Sequence, residues 1–592
     1  MAVENLITEH IDIWTSAVTT KSTSGRGSSK KLELYGIKKL RELILELAVR
    51  GKLVPQHPGE PPVTTLLDKM EQERIRLIEL GKLKKQKMQP PLKQDTHPYN
   101  LPVTWSWMRL SDVAFFQEGP GILAKDFRSS GVPLIRIAGM HEKEVSLKGC
   151  NFLDEKMVQD KWDHFRLDIG DTLLSSSASL GKVSRVTEDS AGAIAYTGLI
   201  RFKTYCALSE DYMSLFFLSG EFIRQINNNK TGAAIKHFGP THLKKMLVPM
   251  PPVKEQHRIV AKVDELMALC DQLEQQTEAS IEAHQVLVTT LLDTLTNSAD
   301  ADELMQNWAR ISEHFDTLFT TEESIDQLKQ TILQLAVMGK LVPQDPSDEP
   351  AAELLKRIAE EKAQLVKEKK IKKQKALPPI SEDEKPFELP NGWEWCHLNS
   401  LISEMDAGWS PACPPEASPN HETWGVLKTT AVQSMEYREY ENKVLSPSKE
   451  PRPQYEVKNG DILITRAGPK NRVGVSCLVQ TTRPKLMISD KIIRFHLIEL
   501  GMSNNFVSLC LNAGATSEYL ESAKSGMAES QMNISQDKLK MAPIPLPPIR
   551  EQTLIVKKVE ELIDLCDKLK LSLEKGKHAH FQFTDSVIEQ TV

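Results

Sequence analysis

A chain of 592 residues has room for several domains, and 40% hydrophobic with 26% charged residues suits a globular protein with sizeable cores. The net charge of −6 excludes an overall basic chain, so nucleic-acid binding would need local basic surfaces. Eight cysteines without a CxxC pair or metal-ligand spacing point to reduced thiols in an intracellular compartment, no run of 18 apolar residues offers a membrane span, and the polar first 30 residues have no apolar secretion-signal core.

In chain order, residues 1–30 form a polar extension with no counterpart in the repeat described below, read as disordered or as a partner contact. Residues 31–99 read as a helical region. Ile37, Leu40, Ile44 and Leu47 recur at spacings of three and four, which is one helical face. Gly51 suits the helix end and Pro55 stops any continuation. Here LAVRGKLVPQ at 47–56 returns as LAVMGKLVPQ at 335–344, nine of ten residues identical. Its apolar residues read as anchors of a junction, with Lys52 and Lys340 peripheral. The same offset of 288 carries the helical face onto Ile325, Leu328, Ile332 and Leu335, and KLKKQK at 82–87 onto KIKKQK at 370–375. It also carries LPVTWSWMRL at 101–110 onto LPNGWEWCHL at 389–398.

Residues 100–247 and 388–543 read as short β-prone runs with Gly, Ser and Asn turns, entered through alternating tryptophans (Trp105 and Trp107, Trp393 and Trp395) that suit half-buried strands and domain cores. These middles agree weakly, but Asp171 and Asp461 each follow a glycine and border an apolar run, a place for a turn role. FQEGPG at 116–121 has no surrounding βαβ pattern and reads as a turn.

A second repeat has an offset of 296: VPMPPVKEQHRIVAKVDELMALCDQL at 248–273 and IPLPPIREQTLIVKKVEELIDLCDKL at 544–569. Ile259, Val263, Leu266, Cys270 and Leu273 match Ile555, Val559, Leu562, Cys566 and Leu569, again a helical face. The first helix should continue to about Leu295, spanning roughly 60 Å at 1.5 Å per residue. The second is expected to end near Lys575. Such stripes cannot stay in water, so they should face each other or a neighbouring helix. The polar faces, with Glu255, Gln256, Glu551 and Gln552, offer either partner-docking surfaces or local caps.

The expected fold is mixed α/β and multidomain: two α+β domains separated by long antiparallel, coiled-coil-like helices, internally duplicated. The domain plan is 1–30, 31–99, 100–247, 248–387, 388–543 and 544–592. Two tandem domains with ordinary packed helices form the plainer alternative. The lysine tract at 362–375 reads as a solvated helix or linker before it reads as a phosphate contact.

No Walker A loop, HExxH, cysteine–histidine zinc pattern, GxSxG elbow or Asn/Asp-Pro-Pro-Tyr/Phe tetrapeptide occurs. The duplicated LAVxGKLVPQ, KxKKQKxxPP, LPxxWxW and PxPPxxEQxxIVxKVxEL blocks, in this order, resemble the specificity subunit of type I restriction-modification systems, in its long-chain subgroup. The resemblance covers nearly all of residues 31–575. It implies a non-catalytic, cytoplasmic, prokaryotic subunit with two target-recognition domains, each reading one half of a split, asymmetric sequence in double-stranded DNA. It implies as partners two methylation subunits, which bind S-adenosylmethionine and modify adenine at N6, and two restriction subunits, which use ATP and Mg. No cofactor, metal or membrane is expected for this chain itself.

Base edges are read mainly by Arg, Lys, Asn and Gln. Turn-rich basic segments of the first middle offer Lys125, Arg128, Arg136, Lys182, Arg185, Asn229, Lys230, Lys236 and His237. The second offers Lys428, Arg466, Lys470, Asn471, Arg472, Gln531 and Asn533. A protein-binding scaffold with incidental DNA contact is the competing reading; a fused methyltransferase is opposed by the missing motifs.

Overall fold

Four helices carry the frame: α1 (Tyr35–Val49), α2 (Val253–Thr296), α3 (Glu322–Val337) and α4 (Ile549–Thr591). The computed structural model describes residues 9–22, 30–80, 92, 97–141, 144–176, 182–205, 208–228, 239–373 and 377–591. Two compact units divide the chain, residues 1–280 with 576–592, and residues 281–575. Each long helix therefore gives its main length to one unit and its last turns to the other.

In the second unit, Ile555, Val559 and Cys566 of α4 are buried in one core with Ile325, Leu328 and Ile332 of α3 and with Val288, Leu292 and Leu295 at the end of α2; Leu562 and Leu569 are half-buried at its edge. Lys570 pairs with Asp326 at 2.8 Å, and Lys329 with Asp567, along the same α3–α4 seam. In the first unit, Ile259, Val263, Leu266 and Cys270 are buried, Leu273 is half-buried, and Ile37, Leu40, Ile44 and Leu47 of α1 are buried. Arg41 of α1 reaches Asp271 and Glu274 at 2.7 Å each. The cover of each long stripe thus includes a short helix of the repeat.

Helix α4 does not stop near Lys575. It runs to Thr591, because its last turns are held by α1. Tyr35 meets the Phe581 ring at 5.0 Å and donates to Asp585 at 2.9 Å. The N-terminal extension also departs from its reading. Residues 11–16 are helical, Trp14 is fully buried, and Val18–Ser22 pairs antiparallel with Lys30–Leu34. It has a counterpart as well: ITEHID at 7–12 matches ISEHFD at 311–316. His10 and His314 precede equivalent one-turn helices with near-identical backbone angles. Residues 1–8 and 23–29 lie outside the described residues.

The divergent middles fold alike. In the first domain β1 (Ala114–Glu118), β2 (Thr172–Ser175), β3 (Val183–Arg185) and β4 (Leu199–Thr204) form an antiparallel sheet in the order β1-β4-β2-β3. In the second, β5 (Ile402–Ala407), β6 (Ile462–Thr465), β7 (Ser476–Leu478) and β8 (Ile492–Leu497) form one in the order β5-β8-β6-β7. Each adds a three-stranded sheet with one antiparallel and one parallel pairing, centred on Val132–Ile135 and on Gly425–Leu427. Each is closed where the tryptophan strand pairs with the strand entering the long helix: Ser106–Arg109 with Leu247–Met250, and Glu394–His397 with Pro543–Leu546. Those closing strands continue slightly past 247 and 543, since a strand belongs with its ladder partner. FQEGPG begins as strand β1. Its Gly119 approaches the Ala195 carbonyl so closely that a Cβ would sit 2.0 Å away; Gly408 meets the Ile488 carbonyl the same way, at 1.9 Å.

Candidate nucleic-acid interface

The repeated motifs converge on one clasp in each unit. Gly51 and Gly339 have φ of +70° and +72°, ending α1 and α3 in the left-handed conformation that glycine accepts freely. A Cβ there would fall 2.5 Å from Pro102 Cγ or 2.6 Å from Pro390 Cγ, so the LPxxW turn packs on bare glycine. Glu255 is buried and accepts from Trp105 Nε1 at 3.0 Å and Gln56 Nε2 at 2.7 Å. Glu551 accepts from Trp393 Nε1 at 3.0 Å and Gln344 Nε2 at 3.1 Å. Burial pushes both carboxyls up, and these donors hold them down. Gln256 and Gln552 are buried beside them, accepting from the backbone N–H of Ser209 at 2.8 Å and of Ser503 at 2.9 Å. These two glutamates and two glutamines are therefore no exposed docking face; they lock each domain to its helix.

Lys340 is half-buried and not peripheral, whereas Lys52 stays exposed. Lys340 donates to the Thr296 and Ser298 carbonyls at 2.8 Å each, where α2 ends. Lys52 donates to the Thr591 carbonyl at 3.3 Å, at the end of α4. A cation on the terminal carbonyls satisfies the helix end and its dipole. The lysine tract that begins inside the helix Ala351–Lys367 is mixed: Lys362 is half-buried, donates to the Asn399 carbonyl at 2.5 Å, and burial lowers its pKa to about 8, whereas Lys370 pairs with Glu368 at 2.9 Å. Residues 82–87, 374 and 375 lie outside the described residues.

Asp171 and Asp461 do make the turns expected of them, accepting from the backbone N–H of Asp168 at 2.7 Å and of Lys458 at 2.9 Å. Both are also fully buried ion-pair centres. Arg201 on β4 reaches Asp171 at 2.6 Å and Asp168 at 2.8 Å. Arg494 on β8 reaches Asp406 at 2.8 Å and Asp461 at 3.5 Å, and His496 meets Asp461 at 2.6 Å. Burial pushes Asp171 up against the pull of Arg201; the Asp461 carboxylate raises His496 against burial. These charges brace the sheets from inside.

The ends of the sheets carry the surface candidates. In the second domain, the turn after β6 and the segment before Ser535 form one ribbon. Ala467 pairs with Asn533 and Gly468 with Met532. Lys470 N–H donates to the Glu529 carbonyl at 2.7 Å, and Ser525 and Asn533 exchange backbone bonds at 2.9 and 2.8 Å. Arg466, Lys470, Asn471, Gln531 and Asn533 are thereby brought together, all exposed except half-buried Arg466. Arg472 departs from its expected role: its guanidinium donates to Gln433 Oε1 at 2.8 Å and to the Thr429 and Val432 carbonyls at 2.9 Å, a strut at the ribbon's base. Lys428 lies apart on the smaller sheet, 3.4 Å from Glu441. Glu529, in the middle of the ribbon, was not singled out from the sequence, because a lone glutamate carries no signal there.

In the first domain, Lys125 and Arg128 are exposed before the smaller sheet, with Arg128 donating to the Lys125 and Phe127 carbonyls at 3.0 Å each. Arg136 is exposed, 5.8 Å from the Tyr196 ring. Lys182 is half-buried before β3. Arg185 is matched by Asp211 at 2.9 Å and Glu210 at 4.0 Å, which leaves less of its charge for a phosphate than expected. Asn229, Lys230, Lys236 and His237 lie outside the described residues.

Among the described residues, no group of His, Cys, Asp and Glu could hold a metal ion, and no helix is long and apolar enough to cross a membrane. Residues 102–283 and 432–575 match the type I restriction modification DNA specificity domain family. Similarity extends along whole chains. The type I restriction enzyme EcoEI specificity subunit of Escherichia coli is 52% identical over 606 residues, covering 100% of this chain and 99% of that one. The chain belongs to the type I restriction-modification specificity subunits. The EcoAI specificity subunit of Escherichia coli is 39% identical, with 100% of both chains covered. A solved HsdS subunit from Thermoanaerobacter tengcongensis matches at 16% identity and a TM-score of 0.38, over 83% of this chain and 98% of that one. A specificity subunit is non-catalytic and recognises the DNA sequence that directs methylation and restriction by partner subunits, which displaces both the scaffold and the fused-enzyme readings.

Proposed function

We propose that each target-recognition domain reads its half of a bipartite DNA sequence, the second through the paired segments at the end of its central sheet. In the second domain these are residues 466–471 and 525–533. In the first, the exposed or half-buried candidates among the described residues are Lys125, Arg128, Arg136, Lys182 and Arg185. The observation that carries this is the antiparallel pairing of Ala467–Gly468 with Met532–Asn533, which gathers exposed Lys, Asn and Gln side chains on one two-stranded ribbon. A ribbon of that kind fits the major groove. The buried clasps fix each domain to its helix, so the chain sets the separation of the two half-sites. Two methylation subunits with S-adenosylmethionine modify the adenines it selects, and two restriction subunits with ATP and Mg restrict DNA whose site is unmodified.

The test is to map methylated adenines in DNA modified by the reconstituted methylation complex, before and after residues 106–250 or 394–546 are exchanged for those of a relative. Each exchange should change one half of the motif and leave the other. A motif that is indifferent to both exchanges overturns the assignment.

A further inference from the structure

We propose that Lys470 and Glu529 together read a single G·C base pair, with lysine on guanine and glutamate on cytosine. This rests on the ribbon reading above and goes beyond it by naming the base pair.

Lys470 Nζ lies 3.9 Å from Glu529 Oε1, with the two side chains 50% and 86% exposed. The backbones of the same two residues are joined at 2.7 Å, so the pair sits at fixed register across the ribbon. An exposed pair at this distance does little for stability. An exposed carboxylate on a face that meets phosphates also opposes binding, unless a donor awaits it. The second acid near Lys470, Glu521 at 3.9 Å, is accounted for differently. It lies on the helix Gly514–Ala523 and pairs with Lys524, which in turn donates to the Lys470 carbonyl at 2.9 Å. Glu521 therefore belongs to the ribbon's base, and Glu529 is the acid presented outward.

In the major groove guanine shows two acceptors, O6 and N7, and cytosine shows the N4 donor. An ammonium and a carboxylate a few ångströms apart match these adjacent edges. Lys470 can bridge both guanine acceptors, and Glu529 can accept from N4. Reversing the base pair places the carboxylate against guanine O6 and the ammonium against an amino group, which repels at both contacts.

The experiment uses the reconstituted methylation complex and a DNA library randomised across the half-site set by the second domain. The unaltered protein should require one G·C pair in a fixed orientation. E529Q should lower discrimination at that pair roughly tenfold and admit adenine in place of cytosine, since a carboxamide can pair with adenine N6 and N7. All other positions, and the other half-site, should keep their preferences. K470E separates the two levels of the proposal. If K470E leaves affinity and motif unchanged, the ribbon does not meet DNA and the wider reading falls. If K470E weakens binding but E529Q alters no position, the ribbon meets DNA and the base-pair assignment alone is overturned.

Discussion

Glu255 and Glu551 sit at the centre of the two clasps. Each takes an indole N–H and a carboxamide N–H in a buried setting. Removing one strands two donors, which costs about 1–3 kcal/mol each when left unmet. E551A should therefore destabilise the second unit by about 2–6 kcal/mol in denaturant unfolding, and E551Q by less, since its oxygen still accepts. His496 gives a pH signature. Its value is raised above 6.5, chiefly by the Asp461 carboxylate, with Glu404 at 3.3 Å adding to it and Arg494 opposing. The protonated ring favours the folded state, so this stabilisation is complete below 6.5 and fades as pH rises through the folded value. The first domain carries Lys203, 3.8 Å from Asp171, in the corresponding place. H496K should abolish that fade, read as unfolding midpoints across neutral pH. The residue types of the clasp were plain in the repeats, but their meeting was not, since Gln56–Glu255 and Gln344–Glu551 contacts span 199 and 207 positions.

Elements were legible to the degree that their burial is periodic. The stripes of α1, α2 and α3 recur every three or four residues, and these helices lie where the spacing places them. The last turns of α4 have Gly576 and a polar, His-containing stretch instead of a strong stripe, so pattern alone ended the helix early. What holds them is a few specific contacts: Tyr35 with Phe581 and Asp585, Ser16 with His580 at 3.3 Å, and Lys52 on the Thr591 carbonyl. Truncation after Lys575 should consequently loosen α1 and the Trp14 segment while sparing α3. Hydrogen exchange localised by peptide would show it; equal protection of both helices would count against it. The N-terminal helix escaped notice for a related reason: ITEHID and ISEHFD are a short match, four of six residues identical, and lie at an offset of their own.

At the scale of the molecule, duplication was visible at the borders and hidden in the middles. Strands of two to six residues leave little periodicity to read, yet the two domains have one strand order. What both keep are the Asp–Arg braces, the close-approach glycines and the clasp, all internal. Sheet ends face no such packing demand, and there the two sequences are free to differ. Exchanging whole domains at the clasp strands should thus preserve folding of the chain while replacing one half of its methylated motif, as the adenine map would record.

The last turns of α4 complete the unit that begins at the N-terminus, and this orders events at the ribosome. Residues 1–280 emerge first but lack their final helix until nearly three hundred more residues are made. At usual elongation rates that interval is roughly 15–60 s. During it, the first half waits unfinished, its α1 surface open to chaperones. A chain cut short before Gly576 would leave Tyr35 and Ser16 without the α4 contacts that hold them.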